Sequence, residues 1–426
     1  MAIVSIVPPQ RPIDAVVRIP GSKSITNRAL VLAALAEGIS TLSGVLFSDD
    51  SRWFMDGLQR LGICVEIDEP GTEVRVHGVA GGPPATEAEL WVELAGTAAR
   101  FLLAYATLGQ GHYTIDGNAR MRQRPMEDLL ATLNSLGAYC YSLGPQGGLP
   151  VQVEACGLRG GATGLAGDKT SQFLSALLMV APYADHDIEL TMTTPLAATP
   201  YIDITIAMMR EFGAEVQCDQ YHRFRIAAGQ RYQARTYQIE PDASNASYFF
   251  AAAAATGGRV RVEGISRQAL QGDIAFLDVL ERMGCTIRAA QNWLEVQGPP
   301  QLRGIELDMS KLPDMAITLA ALAPFADRPT TIRNVALIRH HETDRIAAMT
   351  GELRKLGVQV EEYPDGLTIM PGSHHAATID SHHDHRMAMG FAVAGLNIPG
   401  LRIDNAEAVG KTFPDFFTRF AALSGA

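Results

Sequence analysis

The chain has 426 residues, 47% of them hydrophobic and 19% charged, which supplies two or three cores and excludes a disordered polyampholyte. Its formal charge is 35 − 46 = −11 with histidine neutral, which argues against a broad nucleic-acid-binding face. No run reaches the ~18 apolar residues of a membrane span, and MAIVSIVPPQRPID lacks the basic lead of a signal peptide, so a cytoplasmic protein with no membrane partner is expected. Cys64, Cys140, Cys156, Cys218 and Cys285 form no CxxC pair and read as reduced, buried thiols.

Along the chain the strongest signal is repetition. A short helix ending in an apolar residue and glycine, followed at once by a strand, appears as LQRLGICVEI, ATLNSLGAYC, MMREFGAEVQC, VLERMGCTI and ELRKLGVQV. The glycines are Gly62, Gly137, Gly213, Gly284 and Gly357, at spacings of 75, 76, 71 and 73 residues. Each suits the left-handed position that ends a helix. A second helix precedes this element in every copy. The six begin near GSKSITNRAL, AGTAARFLLAY, KTSQFLSALLM, DASNASYFFAA, PDMAITLAALA and DHRMAMGFAVA, with steps of 75, 74, 73, 70 and 70 from Ser22 through Thr97, Ser171, Ser244 and Asp314 to Asp384. These helices are apolar nearly all round and are expected to be buried. Six α/β units that need neighbours to close their cores suggest two lobes of three, with a boundary near residue 240.

Polar and charged residues gather where these helices start, and a helix start favours an anion. They are Lys23, Ser24 and Arg28, then Thr97 and Arg100, then Thr170, Ser171 and Gln172, then His385 and Arg386. Taken singly, Ser, Thr and Asp here read as caps. Arg28 and Arg100 oppose the dipole, and a bound carboxylate or phosphate would resolve that conflict. Arg122, Arg124, Arg345 and Lys411 extend the basic set, which is large enough for two anionic small molecules. Asp314 reads as a cap or as a group facing a substrate. Glu342 reads as a solvated partner of Arg345 or as a proton relay. Seven of eleven histidines fall between residues 340 and 385, but their spacing matches no familiar zinc pattern, so no metal is expected there. No phosphate-binding GxxxxGK[ST] loop, GxGxxG or GxSxG motif is present.

GSKSITNRALVLAALAEG, AGTAAR, RMRQRP, TSQFLSALLM, PYIDIT, DASNASYF, LQGD, LPDMA, HETDRI, DHRMAM and GKTFPDFF occur in this order over the whole length, and the chain resembles the EPSP synthases, the 3-phosphoshikimate 1-carboxyvinyltransferases. The resemblance implies a two-lobed inside-out α/β barrel of six βαβαββ repeats, three per lobe. Residues 20–240 would form the N-terminal lobe, and 1–19 with 241–426 a discontinuous C-terminal one. It also implies transfer of the enolpyruvyl group of phosphoenolpyruvate to the 5-hydroxyl of shikimate 3-phosphate, with release of phosphate, in aromatic amino acid biosynthesis. A monomer handling only small-molecule substrates, with no cofactor, is expected.

By the same resemblance Lys23, Asp314 and Glu342 are catalytic. Lys23, Ser24, Arg28, Thr170, Ser171, Gln172, Tyr201, Asp314 and His341 bind shikimate 3-phosphate. Lys23, Gly96, Arg124, Gln172, Arg345, Arg386 and Lys411 bind phosphoenolpyruvate, supported by Thr97, Arg100 and His385. The chain departs from the family pattern at Leu94, Ala99, Phe101, Ala198, Thr199 and His341. His341 stands where the family has lysine, so activity is expected to fall as imidazole loses its charge above about pH 6.5. Two rivals are the related UDP-N-acetylglucosamine 1-carboxyvinyltransferases, whose loop cysteine is missing from HYTIDGNARMRQRP, and a non-catalytic anion-binding protein.

Overall fold

In a computed structural model the described residues are 2–424; Met1, Gly425 and Ala426, the outermost positions of the expected C-terminal lobe, lie outside them. Each repeat carries an inner and an outer helix. In chain order these are α1 (Lys23–Leu35) and α2 (Asp49–Arg60), α3 (Gly96–Ala106) and α4 (Glu127–Ser135), α5 (Ser171–Val180) and α6 (Pro200–Glu211). They continue with α7 (Ala243–Thr256) and α8 (Phe276–Arg282), α9 (Ala316–Leu322) and α10 (Arg345–Lys355), α11 (His385–Gly395) and α12 (Phe416–Ala422).

The inner helices are made of Ala, Leu, Phe and Met on every face, and water would meet apolar surface whichever way they turned. They are buried accordingly, including every residue of α3, α9 and α11. The outer helices stop as the repeat predicts. Gly62, Gly137, Gly213, Gly284 and Gly357 follow α2, α4, α6, α8 and α10 with φ of +90°, +101°, +102°, +103° and +83°. A Cβ would be strained there, and the glycine turns the chain directly into the next strand.

Six small sheets cover the inner helices, five of four strands and one of three. In the first repeat β1 (Glu37–Ser43), β2 (Cys64–Asp68), β3 (Glu73–Val79) and β4 (Thr236–Gln238) lie in the order β4-β1-β3-β2. β4 runs parallel to β1, and the other two neighbour pairs are antiparallel. The other four-stranded sheets repeat this scheme of one parallel pair and one hairpin, and Val4–Ser5, Arg402–Asp404 and Thr378–Asp380 complete the three-stranded sheet. In four of these sheets the two strands of the parallel pair are joined by a crossover that carries one inner helix, α3, α5, α9 or α11.

The chain divides into two compact lobes. One is Gly21–Ile239 and contains α1–α6; the other joins the residues up to Pro20 to those from Glu240 onward and contains α7–α12. The strand Asp14–Arg18 pairs in parallel with Arg259–Glu263 in this C-terminal lobe, although it precedes α1 in sequence. Within each lobe the inner helices start at the same end. In the N-terminal lobe Arg28 of α1 meets Ser175 of α5 and lies over Phe101 of α3, each within the first two turns. In the C-terminal lobe Ser247 of α7 meets Thr318 of α9, and Arg386 of α11 approaches Tyr248 of α7. No described helix is long and apolar enough to cross a membrane.

The cysteines differ from expectation. Cys140 and Cys285 are buried, and burial pushes both thiols up to about 12. Cys64, Cys156 and Cys218 are exposed: the first two occupy outward strand positions, and Cys218 lies on an edge strand whose three residues are all exposed.

Candidate active site

In the N-terminal lobe the residues singled out by sequence sit where α1, α3 and α5 begin. α1 and α3 start without a side-chain cap: Ser22 and Ala95 accept from their helices through their backbone carbonyls only. Thr170 caps α5, accepting from Gln172 N at 3.2 Å, and leaves Ser171 as the first helical residue. Lys23 lies on the first turn of α1 with its ammonium 3.2 Å from Asp50 Oδ2. A Cβ at Gly96 would press on the guanidinium ends of both Arg124 and Arg100 and displace them. Arg124 is 7% exposed, and its Nε finds no hydrogen-bond partner among the described residues; its Nη1 reaches only Met121 Sδ, at 3.8 Å. Gln172 Oε1 is likewise buried with no partner among them. A buried cation and a buried acceptor left in this condition call for an anion and a hydroxyl.

Arg28 and Arg100 turn out to be built into the lobe. Arg28 donates to Thr205 Oγ1 at 2.7 Å, Ser24 O at 2.9 Å, and Ser175 Oγ and Tyr201 O at 3.1 Å each. Burial holds its guanidinium down at about 10. It therefore ties α1, α5 and α6 together and fixes the backbone of Tyr201. Arg100 donates to Gly96 O and Pro125 O, both at 3.0 Å, and lies over Phe173. The conflict with the helix dipole is answered by carbonyl and hydroxyl acceptors, not only by a ligand. Phe101, one of the departures, packs beneath Arg28. Arg122 does not join the basic set: it is exposed and grips Asp116 through Nε to Oδ1 at 2.9 Å and Nη2 to Oδ2 at 2.6 Å.

In the C-terminal lobe the structure gathers Asp314, His341, Glu342, Arg345, Asp384, Arg386 and Lys411. Asp314 lies in the turn Pro313–Met315 just before α9. One of its oxygens receives Arg345 Nη1 at 2.8 Å and the other Arg386 Nη2 at 3.0 Å. Glu342 is buried rather than solvated: its Oε2 accepts from Arg345 Nη2 at 3.0 Å, and Lys411 Nζ stands 3.6 Å from Oε1. Asp384 caps α11 through Arg386 N at 2.9 Å and pairs with Arg345 Nε at 2.7 Å, while His385 Nδ1 lies 3.5 Å from it. Burial alone would lower Arg345, but Asp384, Glu342 and Asp314 outweigh it and push the group well above the ordinary arginine value.

His341 joins the same cluster. Arg345 Nη1 lies 2.9 Å from its Nδ1, and Asp314 Oδ1 stands 3.7 Å from that nitrogen. In the contact with Arg345 the guanidinium can only donate.

Four residues in these arrangements had received no role from the sequence. Asp50, in the FSDDSRW stretch, anchors Lys23. Asp384 had served only to mark the repeat. Asp273, in LQGD, takes a hydrogen bond from Ser244 Oγ, and burial with the nearby charge of Asp314 pushes it up to about 6. Tyr248 places its hydroxyl 3.5 Å from Arg386 Nη1. Their signal was position in the repeat, since Asp50 and Asp273 both lie where a strand hands over to an outer helix.

The EPSP synthase (3-phosphoshikimate 1-carboxyvinyltransferase) family matches residues 7–420. The chain is 52% identical over 410 residues to the 3-phosphoshikimate 1-carboxyvinyltransferase of Nostoc punctiforme, covering 96% of each chain. It is 46% identical over 412 residues to that of a Shewanella species, again over 96% of each. Among solved structures, EPSP synthase from Acinetobacter baumannii superposes with a TM-score of 0.82 at 27% identity, covering 99% of this chain and 98% of that one. Motif order, repeat architecture and full-length similarity agree, and the chain belongs to the EPSP synthase family.

Proposed function

We propose that this protein transfers the enolpyruvyl group of phosphoenolpyruvate to the 5-hydroxyl of shikimate 3-phosphate, releasing phosphate, as a cytoplasmic monomer that needs no cofactor. The observation that carries the assignment of residues is the buried group in which Asp314 is held by Arg345 and Arg386 while Glu342 lies beside Lys411. Such a group can receive a phosphate and a carboxylate on its cations and still present two acids.

In this reading Ser171, Thr170, Ser24, Gln172, Tyr201 and Arg28 hold shikimate 3-phosphate, with Arg28 acting largely through the positions it fixes. His341 enters as a hydrogen-bonding group beside Asp314 and Arg345. Arg124, Arg345, Arg386 and Lys411 hold phosphoenolpyruvate, Gly96 leaves it room, and Thr97, Arg100 and His385 support them. As that anion settles on Arg345 and Arg386 it competes with Asp314 for their N–H groups, which frees carboxylate lone pairs for the 5-hydroxyl. The hydroxyl oxygen then bonds to C2 of phosphoenolpyruvate and passes its proton to Asp314, while Glu342 delivers a proton to C3. In the second step C3 returns a proton to the Glu342 carboxylate, the C2–O bond to phosphate breaks, and Lys23 supplies a proton to the departing oxygen.

The test is release of inorganic phosphate from phosphoenolpyruvate in the presence of shikimate 3-phosphate, with UDP-N-acetylglucosamine as the contrasting acceptor. Release with shikimate 3-phosphate alone supports the reading. Release only with the nucleotide sugar moves the chain to the related transferases, and no release with either leaves an anion-binding protein.

A further inference from the structure

β2 and β3 form a hairpin whose two faces differ sharply. Val65, Val74 and Val76 point into the N-terminal lobe and are buried, so their neighbours along each strand point to solvent. The register places Cys64 directly opposite His77, and Glu66 two residues along β2 on the same outward face. His77 Nε2 lies 2.7 Å from Glu66 Oε1. The Cys64 thiol, a Glu66 carboxylate oxygen and a His77 ring nitrogen all lie within 4.8 Å of one another. It is the one such group of three among the described residues, and none of its members belongs to the proposed active site.

We propose that Cys64, Glu66 and His77 form a surface site for a borderline transition-metal ion of the zinc class. Zinc bonds of ~2.0–2.3 Å in tetrahedral array separate ligand atoms by roughly 3.3–3.7 Å. The three side chains are at or near the surface and on adjacent strands, so small rotamer changes close the remaining gap. Sulfur and imidazole ligands select zinc, cobalt or copper over magnesium and calcium, which take oxygen. A thiolate and a carboxylate balance the two positive charges, the thiol proton passes to solvent on binding, and water completes the fourth position. Arg75, the cation opposite Glu66, is turned toward Glu73 at 3.3 Å, and a hollow beside the site is lined by the three acids Glu66, Asp68 and Glu73 together with Ile67 and Arg75. The surrounding charge is therefore predominantly acidic and favours a cation. β2 is the edge strand of its sheet, and a metal bridging Cys64 to His77 clips that edge to its neighbour.

The test is a titration of the reduced full-length protein, kept in a non-chelating phosphine, with Co(II) and then with competing Zn(II). One equivalent of Co(II) is expected to produce a thiolate-to-cobalt charge-transfer band and tetrahedral ligand-field bands, both displaced by Zn(II). Cys64→Ser and His77→Ala should each abolish the one-equivalent complex, whereas Cys156→Ser should retain it. Melting curves establish that the variants are folded, and phosphate release by Cys64→Ser should match that of the parent. A titration with no stoichiometric thiolate band, or a band that survives Cys64→Ser or is lost in Cys156→Ser, overturns the site.

Discussion

Arg345 holds Asp384 through two contacts, Nε to Oδ2 at 2.7 Å and Nη2 to Oδ1 at 3.2 Å. The same Oδ1 caps α11 by accepting from Arg386 N at 2.9 Å. One buried carboxylate thus sets the orientation of one guanidinium and the helix start that carries the next. Its own solvent access is nil, so it acts by positioning and not by touching substrate.

Asp384→Ala should therefore destabilise the protein by about 3–5 kcal/mol, because it leaves Arg345 buried with less compensation and also removes a cap. Asp384→Asn keeps an acceptor for Arg386 N and should cost clearly less. Urea unfolding of the two variants measures the difference. Equal losses would mean that the charge pair, and not the cap, dominates.

Asp314→Asn retains the size of the side chain but removes the charge shared by Arg345 and Arg386. Lys23→Met removes the cation at the start of α1. Each should lower kcat by at least about 100-fold, the ordinary reach of proton transfer and of charge stabilisation at a reacting oxygen. Circular dichroism should show Lys23→Met folded, and its Tm reports the cost of removing the cation 3.2 Å from the buried Asp50. Near-parental turnover in both variants would remove the roles assigned to these residues.

His382 provides a pH test outside the proposed active site. Its Nε2 lies 2.8 Å from Glu352 Oε1, and this hydrogen bond, aided by Asp380, raises the imidazole above its ordinary value of 6.5. Burial alone would raise Glu352, but bonds from His382, Lys355 and Asp380 N outweigh it and lower that carboxyl. The folded state thus binds the histidine proton more tightly than the unfolded chain does. The stabilisation is fully present below pH 6.5 and is lost as pH rises through the folded value. His382→Asn should lower Tm at pH 6 and have a smaller effect at pH 9. The His382 side chain is 34% exposed, so solvent screens part of the effect. A difference in Tm that does not change with pH would show that the ion pair contributes nothing.

Local regularities were readable directly from the chain. The glycine after each outer helix could be read because a left-handed residue tolerates almost nothing else, and Gly62 and Gly284 adopt φ of +90° and +103° as that requires. Burial of α1, α3 and α11 could be read because a helix apolar on all faces has no side to offer water. Thr170 was legible as a cap. Other features were hidden because they depend on partners far away in sequence. Arg28 meets Thr205 across 177 residues, and nothing near GSKSITNRAL announces that its guanidinium is taken up by hydroxyls and carbonyls. Arg122 and Arg124 are two residues apart in one motif, yet one pairs with Asp116 at the surface and the other is buried with Nε unmatched.

By itself, then, the sequence determined the repeat, the inner and outer helices and the chemical types collected at the helix starts, since these follow from periodicity and from the conformational limits of glycine. Only the tertiary structure decided which cations are consumed by the protein's own acceptors, that His341 meets Arg345, and that Cys64 comes to lie opposite His77. The reason is physical: hydrogen bonding and ion pairing act over a few ångströms in space, and the distance along the chain between such partners is set by the fold as a whole.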